Sequence, residues 1–302
     1  MLAKAFPERY RRWGVLVPAS LALVWFLAFF GPSIRGFLVT TFNLPTIKTN
    51  LHPGKTDFED RKLAMLVEVH PFGHLTALLL HMIAVVPFEW RFVYVGSKES
   101  LARVTKSIPI RDYQKSGKLV LSEVPAGFDA SDNEGMHRML THMRFYEEVV
   151  DPAEWFLLFR SDTILCAQSN QSLNDWLEYD WVGAPWSLED RFGGNGALSL
   201  RRVSAVKQVL RFQTRLHDSD PADRWLSMRM GLLPDAKMAP GSKEAEFSVE
   251  NIWHDKPMGY RLDGILPDSV WGDQAQRKKI YAYCPEVKII HEMKLERQRC
   301  QT

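Results

Sequence analysis

The chain has 302 residues, 46% hydrophobic and 25% charged, ordinary globular usage that excludes a disordered polymer. Its net charge is +2 and its basic residues are scattered apart from short clusters such as Arg277-Lys278-Lys279, so it lacks the footprint of a nucleic-acid binder. Cys166, Cys284 and Cys300 exclude a disulfide framework and show no CxxC metal spacing; at most one bridge is possible, so an oxidising compartment is permitted and not required.

Residues 1–12 carry Lys4, Arg9, Arg11 and Arg12 against Glu8 alone. Trp13 to Gly31 then hold no charge, and fifteen of these nineteen residues are apolar. A helix crosses the hydrocarbon core with about 20 such residues, so 13–31 reads as a transmembrane helix. Only Arg35 and Lys48 are basic in the twenty residues that follow, so the charge bias puts the N-terminus in the cytoplasm. A cleaved signal peptide needs a shorter apolar region and a small-residue cleavage site, whereas Trp25, Phe26, Phe29 and Phe30 crowd this end. A buried helix is the other alternative. Residues 32–61, with Pro32, Pro45, Pro53 and Gly54, read as a stem. These features predict a signal-anchored type II membrane protein of the Golgi or ER, attached through residues 13–31, with its body in the lumen. One sequon, Asn170-Gln171-Ser172, would be usable there.

In the body, residues 62–292, Leu63–Val69 is a short apolar run and predicts a first buried strand. His74–Val86 predicts a buried helix that stops at Pro87. Arg91–Gly96 and Lys118–Val124 predict two more strands. Glu134–Val150 reads as one long helix, and Trp155–Cys166 as two apolar runs split by Arg160-Ser161-Asp162. Strands alternating with helices predict an α/β fold, a mostly parallel sheet with helices on its faces. Residues 293–302 form a charged tail.

Four segments offer chemistry. Asp162 ends an apolar strand, at the rim where α/β sheets bind ligands, and a carboxylate there suits a hard cation bridging to a diphosphate. A turn or capping aspartate is the plain alternative. Gly193-Gly194-Asn195-Gly196 precedes Ala197-Leu198-Ser199-Leu200, and its glycines let backbone approach a ligand. A tight turn before a helix Val203–Phe212 fits equally, and no P-loop or GxGxxG pattern is present. Asp223 lies in the first turn of a helix opened by Pro221, where it complements the helix dipole or serves as a base toward an acceptor hydroxyl. Glu246–Asn251 and Lys256–Arg261 read as a binding loop or an ordinary strand. Trp181, Trp186 and Trp253 stack on sugar faces or pack in the core.

Taken in order, FRSDTIL, SLNDWLEYDWVGAPW, GGNGALSLRR, PADRWL, EFSVEN and KPMGYRL resemble a glycosyltransferase-like family described mostly in fungi. It is catalogued as a domain of unknown function and is similar in outline to GT-A folds. The resemblance runs from about Leu63 to about Glu292 and is most specific over Trp155–Arg202. It implies a GT-A-like domain that moves a sugar from a nucleotide-sugar donor to a glycan, protein or lipid hydroxyl, with inversion. Asp162 would bind a divalent cation (Mn²⁺ or Mg²⁺) or the donor phosphates, Gly194, Asn195 and Gly196 would line the donor sugar, and Asp223 would be the base; apart from the resemblance, Trp186 is the tryptophan expected to face the acceptor by stacking on a sugar. Three positions depart from the family pattern: Arg160 and Ser161 leave one aspartate in the acidic motif, Ala222 precedes Asp223 where an acid is usual, and Arg261 stands where a histidine often completes a metal site. An arginine neutralises a diphosphate directly, so Arg261 is expected at the donor in partial replacement of the ion. A catalytically inactive sugar- or partner-binding domain is the alternative those departures imply.

Overall fold

The computed structural model describes residues 58–262 and 266–291, all within one compact unit, Lys55–Thr302. The expected tail 1–12, the expected anchor 13–31, nearly all of the expected stem and the expected tail 293–302 lie outside the described residues. Among the described residues no helix is long and apolar enough to cross a membrane.

Strands β1 (Lys62–Val67), β2 (Arg91–Gly96), β3 (Leu119–Glu123), β4 (Trp155–Phe159), β6 (Trp181–Ala184) and β7 (Asn195–Arg202) form one sheet in the order β3-β2-β1-β4-β7-β6. Pairings β3-β2, β2-β1 and β1-β4 are parallel, and β7 runs against both β4 and β6, so the sheet is mostly parallel with one reversed strand. A second sheet orders β5 (Thr163–Leu165), β9 (Gly259–Arg261) and β8 (Ser248–Val249).

Both faces of the large sheet are covered, which is why its parallel strands read as unbroken apolar runs. Side chains of one strand alternate between faces. Ala64 and Leu66 face α1 (Leu75–Val85), α2 (Lys98–Val104) and α3 (Ile108–Lys115), through Leu78, Met82, Val104 and Ile110. Leu63, Met65 and Val67 face α4 (Asn133–Leu140), α5 (Val203–Phe212) and α6 (Ala222–Met230), through Met136, Met139, Val206, Trp225 and Leu226. Helices α7 (Gly241–Phe247), α8 (Asp268–Trp271) and α9 (Gln274–Tyr283) pack with the small sheet on the α1 side.

Two readings of the sequence need correction. The predicted helix Glu134–Val150 is broken. Helix α4 ends at Leu140, a turn follows at Met143–Phe145, and a π turn spans Tyr146–Val150. The Thr141 hydroxyl donates to His137 O (2.7 Å) and the buried Tyr146 hydroxyl to Leu140 O (2.9 Å), so side chains satisfy the last carbonyls of α4 and the chain leaves the helix. Helices α2 and α3 fill the stretch between Gly96 and Lys118, to which the sequence reading assigns no element. A disulfide joins Cys166, just past β5, to Cys284 at the end of α9.

Candidate functional site

Strands β2 and β3 lie on one side of β1 and β4 on the other, so the chain direction switches between β1 and β4. Open α/β sheets bind ligands outside the carboxyl ends of their strands at such a point. A cavity of about 680 Å³ opens there.

Its first side is built where β1 and β4 end. Glu68 follows β1 and is buried; its Oε2 accepts from the Ser161 hydroxyl, and its Oε1 accepts from the His70 amide at 2.9 Å. After β4, the Thr163 hydroxyl accepts from Arg160 N (3.0 Å) and donates to Arg160 O (2.9 Å), closing a turn that carries the chain from the large sheet into β5. This turn aims Asp162 into the cavity. Strand pairing then sets Arg261 directly across from Thr163. Asp162 Oδ2 lies 3.7 Å from Arg261 Nε, Arg261 Nη1 donates to Glu250 Oε1, and buried Asp162 Oδ1 makes no hydrogen bond.

The opposite side is built by β7, α4 and α6. Pro221 precedes α6, leaving Asp223 in its first turn. Asp223 Oδ2 accepts from Gly196 N at 2.9 Å and Oδ1 from Arg224 N at 2.8 Å, which uses two of about four lone-pair positions and fixes the carboxylate's orientation. The close approach requires glycine: a Cβ at 196 would lie 2.7 Å from both Asp223 Cβ and Arg201 Nη2. Arg201 is 1% exposed, stacks 4.5 Å from the Trp181 ring, and donates to Ser199 Oγ (3.0 Å) and Gly196 O (3.2 Å). Its Nη1 makes no hydrogen bond. Burial pushes the Arg201 pKa down, against the nearby Tyr146 and Asp223. On α4, His137 Nδ1 accepts from Ala222 N (3.3 Å). Burial pushes the His137 pKa down; Asp223 opposes this, and the charges of Arg215 and Arg160 add to it.

Of the residues singled out in the sequence, Asp162, Trp186, Asn195, Gly196, Asp223 and Arg261 all line this one cavity. Trp186 stands at the surface, 39% exposed, against Gly193. Asn195 turns its Oδ1 back onto Ala197 N (2.9 Å). Gly194 is not among the residues that line the cavity, though its neighbours Asn195 and Gly196 are. Its φ is +115°, and a Cβ there would lie 2.6 Å from Glu244 Oε1, so this glycine makes room for a buried carboxyl.

The sequence reading missed Glu68, Arg201 and His137 as lining residues, took in Glu250 only within the segment Glu246–Asn251, and treated Arg160 only as a departure from a motif. Glu68 carries the same signal as Asp162, an acid closing an apolar strand. Arg201 carries none, because its long side chain reaches back from within β7.

Among the described residues, the only trio of Cys, His, Asp or Glu atoms close enough to share an ion is Cys166, Cys284 and Glu286, and its cysteines are the disulfide. At the cavity the residues fit a divalent cation as a single-oxygen anchor. Asp162 Oδ1 is the buried carboxylate oxygen without a partner there, and a hard cation fills its remaining positions with ligand oxygens and water.

Residues 118–261 match a family model described as a protein of unknown function (DUF5672). No curated protein matches. Among solved structures, the chain is similar to the mannosyltransferase PcManGT from Pyrobaculum calidifontis, solved in complex with GDP-Man and Mn²⁺, at 13% identity over 74% of this chain and 66% of that one, TM-score 0.42. It is similar to the bifunctional glycosyltransferase WbbM at 12% identity over 78% of this chain and 52% of that one, TM-score 0.43. A third is core-mannan synthase A from Aspergillus fumigatus, at 9% identity over 60% and 73%, TM-score 0.38. The chain thus spans less than two thirds of the first two proteins. With such low identities and TM-scores, the site itself has to carry the functional reading.

Proposed function

We propose that this chain is a membrane-anchored, GT-A-like glycosyltransferase that moves a sugar from a nucleotide-sugar donor to an acceptor hydroxyl with inversion. The observation that carries this reading is the placement of Asp162 and Asp223 on opposite sides of one cavity at the switch point of the sheet. The donor diphosphate sits beside Asp162 and Arg261, and Trp186 faces the acceptor. Asp223, held by Gly196 N, takes the proton from the acceptor hydroxyl. The acceptor oxygen bonds to the anomeric carbon as the carbon–oxygen bond to the diphosphate breaks. The leaving diphosphate keeps the electron pair, and the Arg261 guanidinium stabilises its charge. A divalent cation held by Asp162 Oδ1 would supply further neutralisation of that charge.

The anchor at 13–31 places the catalytic body in the lumen of the Golgi or ER, with a glycan, protein or lipid as acceptor. The Cys166–Cys284 disulfide supports an oxidising compartment. The Arg261–Glu250 ion pair favours a second reading, a binding domain without turnover, because part of the guanidinium is already neutralised.

The test is turnover of a panel of UDP- and GDP-sugars by the full chain, with and without EDTA. Asp223→Asn should lower kcat by about 10²–10⁴-fold while leaving nucleotide affinity in place. Nucleotide binding without turnover by the native chain would select the second reading. Absence of any nucleotide binding would refute the transferase reading.

A further inference from the structure

The cavity is charged unequally on its two sides. Glu68, Asp162 and Glu250 stand on the side of β1 and the small sheet, with Arg261 as their cation. Arg160, Arg201 and Arg224 stand toward α4 and α6, with Asp223 among them and Asp132 at the N-terminus of α4. None of these three arginines is in an ion pair among the described residues, and Arg160 Nε is buried without a hydrogen-bond partner, whereas Arg201 has the Tyr146 hydroxyl beside it. A guanidinium cannot escape burial by losing its proton in this pH range, so it needs an anion or water at its donors. Asp223 and Asp132 bring two negative charges against three positive ones, so they offset only part of this charge.

We infer that the α4–α6 side of the cavity receives an anionic group, a phosphate or a carboxylate, carried by the acceptor sugar. The assignment to the acceptor rests on the reading of Asp223 as the base, because whatever lies against Asp223 is then the acceptor. Arg160, half-buried at the cavity, and Arg224, exposed at the start of α6, offer planar donor forks that match either anion. Arg201 has no exposed donor for direct contact; it contributes positive charge from beneath and holds the Gly196 carbonyl in place.

The test uses the full chain and isothermal titration with glucose, glucose 6-phosphate, glucuronate, UDP and GDP. Glucose 6-phosphate or glucuronate should bind at least about tenfold more tightly than glucose, and Arg160→Gln should remove at least about tenfold of that affinity. The better of the two identifies the anion as phosphate or carboxylate. Nucleotide affinity should survive Arg160→Gln, and nucleotide and anionic sugar should bind together. A matching unfolding midpoint for the variant shows that it folds. Three results would each overturn the inference: no preference for the charged sugars, no effect of Arg160→Gln, or displacement of the charged sugar by nucleotide. The last would assign these arginines to the donor diphosphate instead. Failure of UDP and GDP to bind at all would sink the transferase reading while leaving the anionic-sugar titration readable.

Discussion

Glu244 lies wholly inside the protein, on α7, behind the glycine-rich turn. Its Oε1 accepts from Gly183 N at 3.2 Å, its Oε2 has no hydrogen-bond partner, and Gly194 presses against it. Burial, with a smaller push from Asp190, raises its pKa from 4.5 to about 9. Between these values the folded chain keeps a proton that the unfolded chain has released. The stability contributed at this position is therefore complete below pH 4.5 and is lost as pH rises toward 9. The slope is about 1.4 kcal/mol per pH unit, so neutralising this carboxyl in the fold costs roughly 3 kcal/mol at pH 7.

Glu244→Gln keeps the acceptor for Gly183 and removes the titration. Its new amide N–H groups cost about 1–3 kcal/mol if they stay unpaired, so the variant starts level with or below the native chain at pH 5. It should then gain about 1.4 kcal/mol on the native chain for each pH unit up to pH 8. Denaturant unfolding of both full chains at pH 5, 6, 7 and 8 measures the difference, in which every other titrating group cancels. A difference that does not change with pH would refute the buried neutral carboxyl.

Gly196→Ala should cost more in turnover than in stability, because the added Cβ pushes on Asp223 Cβ and Arg201 Nη2; a variant with native kcat would show that the Asp223 position does not matter. Cys166→Ser should lower stability by about 2–4 kcal/mol in denaturant unfolding, and reductant should cost the native chain the same and the variant nothing further. An unchanged midpoint for the native chain in reductant would contradict a structural role for the bridge.

The strands were the most readable part of the sequence, for a physical reason. Burial on both faces leaves β1 and β2 no polar alternation, and their apolar runs stop where the sheet stops. Helices α2 and α3 left a faint trace, because α2 buries only Ser100 and Val104 and α3 only Ile110. The break after Leu140 was hidden because it depends on the Tyr146 hydroxyl returning to a carbonyl of the preceding helix. The direction of β7 was equally invisible: apolar residues are chosen by burial, and burial does not depend on strand direction. At the site, Asp162, Asp223 and Gly196 could be named from local rules, a strand end, a first helical turn and a glycine. The partnership of Arg261 with Asp162 could not, since it follows from the pairing of β5 with β9 across distant parts of the chain.

That pairing alters what the sequence implied about the ion. An arginine in place of a histidine suggested a cation substitute. In the fold, Arg261 lies between Asp162 and Glu250, so these three side chains carry a formal charge of −1 with all groups ionised. A diphosphate brought beside them meets net repulsion unless further positive charge arrives with it or the Arg261–Glu250 contact opens. The partnerless Asp162 Oδ1 is where added positive charge can be held. Loss of donor binding in EDTA, restored by Mn²⁺ or Mg²⁺, would therefore fit this geometry better than metal-independent binding. Metal-independent binding that strengthens in Glu250→Gln would instead restore Arg261 as the ion's replacement, since that substitution removes the Glu250 charge from the guanidinium without touching Asp162.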